Sequence, residues 1–194
     1  MDLSYRLKAL DSLEKVIKKY DAELCSALYS DLGKSRAETY MCEAGLTLSE
    51  LRYVKRHIRR WSRTHSVRTP LAQFHAKSFT VSEPYGVVLI MSPWNYPVLL
   101  SLEPLIGAIA AGNCCIVKSS AYSPAVSGLL ARMLKEAFPE EYVAVVEGGR
   151  QENQSLLEQK FDYIFFTGGV KVGKMVMEKA SAHLTPVTLE LGGK

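Results

Sequence analysis

Two observations predict an α/β chain built on a Rossmann-like, doubly wound parallel sheet preceded by two amphipathic helices. Five short apolar runs alternate with helix-patterned segments across residues 87–191. Strands that are apolar throughout, rather than alternating, belong to a parallel sheet covered on both faces. Residues suited to binding or chemistry cluster directly after four of those runs, where open sheets of this kind hold their ligands. The clusters are Ser92-Pro93-Trp94-Asn95, Lys118-Ser119-Ser120, Thr167-Gly168-Gly169 and Glu190-Leu191-Gly192-Gly193.

The elements follow in order. Leu3, Leu7, Leu10, Val16, Ile17, Tyr20, Leu24 and Leu28 recur at helical spacing and predict a helix over 3–31, with Gly33 as its C-cap. Met41, Ala44, Leu48, Leu51, Ile58 and Trp61 predict a second helix over 36–62. Its basic end (Lys55, Arg56, Arg59, Arg60, Arg63, and Arg68 beyond) reads as a solvated face, with cations favoured by the negative end of the helix dipole. Over 76–83, Phe79 and Val81 alternate with Ser78, Thr80 and Ser82, which predicts a half-exposed strand ended by Pro84.

From Val87 the texture changes. The apolar runs are Val87–Met91, Cys114–Val117, Tyr142–Val146, Tyr163–Phe166 and Val187–Leu191. Between them lie a helix from Pro97 to Gly112, one opened by Ser123 as N-cap and Pro124 at its first position, a short one over Glu152–Lys160, and one over Val170–Ala182. The expected organisation is N-terminal helices over 1–68, a bridging strand segment over 69–86 and the Rossmann-like core over 87–194.

Composition narrows the function. With 194 residues and 47% hydrophobic content, the chain can bury a sizeable core. A net charge of +4 is too mild to argue for nucleic acid or an anionic membrane. Four cysteines without a CxxC, and four scattered histidines, give no zinc pattern, so no metal is expected. The adjacent Cys114 and Cys115 suit a buried strand rather than a disulfide, and a reducing, cytoplasmic setting is the expectation. The opening MDLSYRLKALDS lacks the apolar stretch of a secretory leader. The weakly charged stretch over 87–111 is interrupted by Pro93, Asn95, Pro97, Glu103 and Pro104, which excludes a membrane span there.

Four motifs carry possible chemistry. TGGVKVGK, residues 167–174, joins a strand to a helix, where glycines admit a phosphate to free backbone N–H groups. It nearly matches a P-loop, but Met175 stands where magnesium needs Ser or Thr, which disfavours a nucleotide triphosphatase. The bland alternative is a glycine-rich turn with no ligand. Lys118, at a strand end, could donate to ribose hydroxyls or a phosphate, or be merely solvated. In Ser92-Pro93-Trp94-Asn95-Tyr96-Pro97, two prolines fix the backbone around a neutral amide suited to an oxyanion hole, or to a simple turn. Glu190 is the sole carboxylate of 187–194; if buried it could serve as a base near neutral pH, and otherwise it is a hydrated strand-end residue.

PWNYP, a lysine at the next strand end, FFTGG…VGK and LTPVTLELGGK, in this order, resemble the aldehyde dehydrogenase superfamily over nearly the whole chain. Tyr96-Pro97, EYVAVVEGG and residues 161–194 are most similar to the class 3 and fatty aldehyde branch. The resemblance implies NAD or NADP as cofactor and oxidation of an aldehyde to a carboxylic acid through a cysteine thioester. It implies Asn95 as donor to the oxyanion and Glu190 as the base that activates water. It implies cofactor contacts from Ser92, Pro93, Trp94, Lys118, the turn Gly168, Gly169, Val170, Lys171, Val172 and Gly173, and from Leu191.

In such enzymes the nucleophilic cysteine follows ELGGK, and none of Cys25, Cys42, Cys114 and Cys115 occupies that motif. The expectation is therefore that the catalytic domain is absent and the isolated chain inactive. The strand over 76–83 is implied as an oligomerisation strand, and a homodimer is expected. Two positions depart from the family's common pattern. Ala121 replaces a glutamate that holds the ribose, which leaves room for a 2′-phosphate, and Gly169 replaces a serine. The alternatives are a non-catalytic dinucleotide-binding module, a nucleic-acid domain using Lys55–Arg68, and an acyl-CoA or acyl-phosphate reductase, the last disfavoured by Glu190.

Overall fold

The computed structural model describes residues 1–192; Gly193 and Lys194 of the last motif lie outside the described residues. Five parallel strands form the central sheet in the order β5-β4-β3-β6-β7: β3 (Val87–Met91), β4 (Cys114–Lys118), β5 (Val143–Val146), β6 (Tyr163–Gly169) and β7 (Val187–Gly192). The strand order reverses at β3, as the doubly wound reading requires. α5 (Leu99–Ala111) and α6 (Pro124–Ala137) cover one face, and α7 (Arg150–Leu157) and α8 (Val170–Ser181) the other. Successive residues of β3 show why its sequence does not alternate. Val88 and Ile90 enter the core under α5 and α6, while Leu89 and Met91 enter the core under α8. Both faces are dry, so every position must be apolar.

A third layer lies outside α5 and α6. It consists of α1 (Leu3–Lys19), α2 (Asp21–Leu32), the short α3 (Arg36–Thr39), a π-helical turn over Tyr40–Ala44, and α4 (Gly45–Trp61). The expected helix over 3–31 is divided at Tyr20, whose φ of −96° and ψ of 18° leave helical geometry. Leu10, Ile17, Leu24 and Leu28 nevertheless all reach the same core. The expected second helix begins at Arg36 as read, and its Ala44, Leu51 and Ile58 are buried, but a π turn inserts an extra residue near its start. Met41 and Trp61 are exposed, while Glu43, Thr47 and Val54 are buried too. Of the basic run, Lys55 is held by Asp11 and by Glu14 at 2.9 Å, across to α1.

The alternating segment forms β2 (Ser78–Thr80), and it has a partner the sequence did not announce, β1 (His65–Val67), paired antiparallel. No helix among the described residues is long and apolar enough to cross a membrane.

The head of α6 differs from expectation in a useful way. Pro124 does open the helix, but Ser123 makes no side-chain cap. The carboxylate of Asp31, at the end of α2, accepts from the Ala125 and Val126 N–H groups at 3.2 and 2.8 Å. A cap supplied 94 residues away in sequence leaves no local signature. Asp31→Ala strands two amide donors and should lower the unfolding free energy by about 1–2 kcal/mol. Ser123→Ala, whose hydroxyl reaches only the Ser120 carbonyl at 3.4 Å, should cost less. Urea titration of the two variants checks this, and equal losses would contradict it.

Candidate functional site

Because the strands are parallel, their C-terminal ends share one rim. Met91 lies opposite both Lys118 and Phe166, and Thr167 opposite Glu190. Ser92, Lys118, the 167–169 segment and Glu190 therefore meet along this rim, with Asn95 three residues past Ser92. A cleft of about 600 Å³ opens over it. Of the residues implied for the cofactor, Ser92, Lys118, Lys171 and Val172 line this cleft. Pro93, Trp94, Gly168, Gly169, Val170, Gly173 and Leu191 are not among its lining residues. A smaller groove, about 240 Å³, lies along the outer edge of β5 and α6, away from the rim residues.

Lys118 is 3% exposed. Its ammonium donates to the Ser119 carbonyl at 2.6 Å and to the Gly148 carbonyl at 2.7 Å, tying the ends of β4 and β5 together. Burial pushes its pKa below the usual lysine value, opposed by the nearby charges of Glu152 and Glu147. It is thus not the solvated strand-end lysine of the bland alternative. Gly148 has φ of +122°, a conformation in which a side chain would be strained, and a Cβ there would strike Glu152 at 2.5 Å. That packing lets the Glu152 carboxylate accept from the Gly149 N–H at 2.6 Å. The hydrogen bonds to backbone amides hold Glu152 below the ordinary carboxylate range.

Four helices begin at this rim, and three have carboxylates on their leading amides. Glu43 accepts from Val98 and Leu99 at the head of α5, Asp31 serves α6, and Glu152 serves α7. The fourth, α8, follows Gly169 with no side-chain cap. Lys171 and Val172, in the first turn of α8, line the cleft. The cleft lining contains Lys118, Arg150 and Lys171 and no Asp or Glu.

Other rim residues are held tightly. The Ser92 hydroxyl pairs with that of Ser101 in α5 at 2.6 Å, and its N–H donates to the Lys118 carbonyl at 3.1 Å. The Gly173 site has a packing explanation: a Cβ there would approach Leu191 of β7 to 2.6 Å. Glu190 is exposed, as in the second of its two readings, because among the described residues β7 is the edge strand of the sheet.

Sequence reasoning missed Asn153, which lines the cleft with its Oδ1 buried and unpaired among the described residues. It also missed Lys34 and Glu43. Their only trace was a polar series, Thr39, Glu43 and Thr47, on a face continued by Leu51, Val54 and Ile58.

Geometry and motif order agree with what the chain is similar to. The sequence profile described as the aldehyde dehydrogenase family matches residues 1–194. The chain belongs to the aldehyde dehydrogenase family. It is 48% identical over 193 residues to the 4,4'-diaponeurosporen-aldehyde dehydrogenase of Staphylococcus aureus, covering all of this chain and 42% of that protein. It is 45% identical over 190 residues to mouse aldehyde dehydrogenase family 3 member B1, covering 98% of this chain and 41% of that one. The solved Staphylococcus aureus AldH in its substrate-bound state superposes with a TM-score of 0.98 at 48% identity, over all of this chain and 42% of that one. A Mycobacterium tuberculosis aldehyde dehydrogenase complexed with NAD+ gives 0.88 at 26%, over all of this chain and 40% of that one. This aldehyde dehydrogenase chain thus spans about two fifths of the relatives it matches.

None of its four cysteines lines the cleft. Cys115 is buried in β4, and burial pushes its thiol up to about 12. Cys115 should therefore resist alkylation by iodoacetamide at pH 8 while the chain is folded, and react once denaturant is added. Mass spectrometry of the labelled peptides checks this, and rapid labelling of the folded chain would contradict it.

Proposed function

We propose that these residues supply the cofactor cleft, the oxyanion donor and the general base of an NAD(P)-dependent aldehyde dehydrogenase that oxidises an aldehyde to a carboxylic acid. In this reading residues 87–194 hold the cofactor, 69–86 form the bridging and oligomerisation segment of a homodimer, and 1–68 buttress the core. The nucleophilic thiolate comes from outside these residues, because none of Cys25, Cys42, Cys114 and Cys115 occupies the motif after ELGGK where the resemblance puts it. The observation that carries the proposal is the pairing of the uncapped α8 start with a cleft lined by three cations and no carboxylate.

A dinucleotide fits these groups. Its pyrophosphate suits the free amides at the head of α8, and its ribose hydroxyls suit the unpaired Asn153 Oδ1 and the Lys118 ammonium. Ala121 in the lining, with Arg150 nearby, leaves a 2′-phosphate unopposed, so NADP is accommodated as well as NAD. When bound, the nicotinamide accepts a hydride from the substrate carbon.

The chain's own residues act around that transfer. The Asn95 amide donates to the oxygen that becomes negative as the thiolate adds to the carbonyl. Glu190, exposed on β7, takes the proton of the water that attacks the thioester and releases the acid. The same absence of a cysteine in that motif favours binding without turnover by the 194-residue chain.

Calorimetric titration with NAD and NADP should give saturable binding to the chain. Lys118→Met should weaken it roughly tenfold, about the worth of one charge-assisted hydrogen bond. No heat and no thermal protection from either cofactor would overturn the cofactor assignment. Steady aldehyde oxidation by the 194-residue chain would overturn the placement of the nucleophile.

A further inference from the structure

We propose that the buried Lys34–Glu43 ion pair is a positioning device for Asn95, fixing the turn that presents its amide to the rim; this rests on reading Asn95 as the oxyanion donor. Glu43 is fully buried and Lys34 is 7% exposed, with Nζ 2.6 Å from Oε1. Charges this deep need every polar atom engaged, and their remaining partners all lie in one short stretch. Lys34 Nζ donates to the Asn95 carbonyl at 2.7 Å and lies 4.0 Å from the centre of the Tyr96 ring. Glu43 Oε2 accepts from the N–H groups of Val98 and Leu99 at 2.9 and 3.0 Å. The pair thus grips the backbone on both sides of Pro97.

Asn95 itself is exposed, so its placement comes from the backbone that carries it. Apolar residues of similar volume would serve stability as well or better than a buried ion pair. What they cannot supply is four directed contacts to one turn. Glu43 sits in the π turn over Tyr40–Ala44, a feature that recurs at functional sites. Gly45 follows it, and a Cβ there would lie 2.4 Å from the Tyr40 carbonyl oxygen. The π turn places a carboxylate on a face that α4 continues with Leu51, Val54 and Ile58.

The test uses the aldehyde dehydrogenase polypeptide that carries this segment together with its nucleophilic cysteine. Three forms are compared with the parent: Asn95→Ala, the combined Lys34→Met and Glu43→Gln, and all three substitutions together. The neutral pair avoids stranding one buried charge and keeps an acceptor for Val98 and Leu99. It should lower kcat roughly tenfold to a hundredfold, the scale of a displaced reacting group, with the KM for the nicotinamide cofactor within about twofold. In the Asn95→Ala background the same change should have almost no further effect, because the pair acts through Asn95.

A neutral pair with parental kcat, or with an undiminished loss in the Asn95→Ala background, overturns the proposal while leaving the oxyanion reading intact. Parental kcat in Asn95→Ala alone overturns both, and separates the two failures. Should the neutral pair not fold, Lys34→Arg keeps the charge but not the single-point reach to the Asn95 carbonyl. It should show the same fall in kcat at unchanged cofactor KM, and an unchanged kcat overturns the proposal.

Discussion

A parallel sheet covered on both faces imposes one constraint from which the rest follows. All strand C-termini lie along one rim, and each connecting helix starts there, with its free N–H groups and positive dipole end facing the same space. Left alone, four adjacent helix starts would be four competing anion sites. This chain closes three of them with its own carboxylates, from Glu43, Asp31 and Glu152, and leaves α8 open. In the proposed reading, an anionic ligand takes the helix start that carries no carboxylate.

Those caps also explain why the outer helical layer belongs to the site's construction. Asp31 ends α2 and Glu43 sits in the π turn before α4, yet both are spent on helices that begin at the rim. The layer outside α5 and α6 shares one apolar core with the sheet, through Leu10, Leu24, Leu51 and Val88 among others. A shift of that layer would move the heads of α5 and α6 with it. Lys118 plays the matching part from within the sheet, locking the ends of β4 and β5 through two backbone carbonyls.

Legibility in the sequence divides along these lines. The five strands were readable because burial on both faces forces continuous apolar runs, and the shared rim was readable because strands of a parallel sheet end on one side. Gly33 was found as a C-cap because its φ of 68° is a local demand. What was hidden was non-local. Asp31 caps a helix 94 residues on, and Glu43 binds amides 55 residues on, so neither leaves a motif around itself. The π turn hid Glu43, because an inserted residue breaks the helical spacing ahead of α4: Met41, read as inward, is exposed, while Ala44, Leu51 and Ile58 are buried as read. β1 was invisible because three residues of exposed strand carry no periodic signal. Glu190 was legible as a strand-end carboxylate, and the choice between its buried and hydrated readings turns on β7 being the edge strand among the described residues, which no local pattern encodes.

The open part of the rim is the end of β7. Glu190 and Leu191 are exposed there, and in the neighbouring strand the Thr167 Oγ1 is buried without a partner among the described residues. The closed part, around Ser92, Lys118 and Gly148, is held by hydrogen bonds between strand ends and the helices that follow. This asymmetry matches the order of the proposed reaction. The proposed ribose contacts at Lys118 meet the rigid side. The aldehyde and the attacking water must come and go, and Glu190 stands on the side left accessible. An oxyanion donor acts only if it is fixed beforehand, since stabilisation of developing charge depends on dipoles that need not reorganise. In the proposed reading the Asn95 turn meets that demand through its anchorage by a buried charge pair.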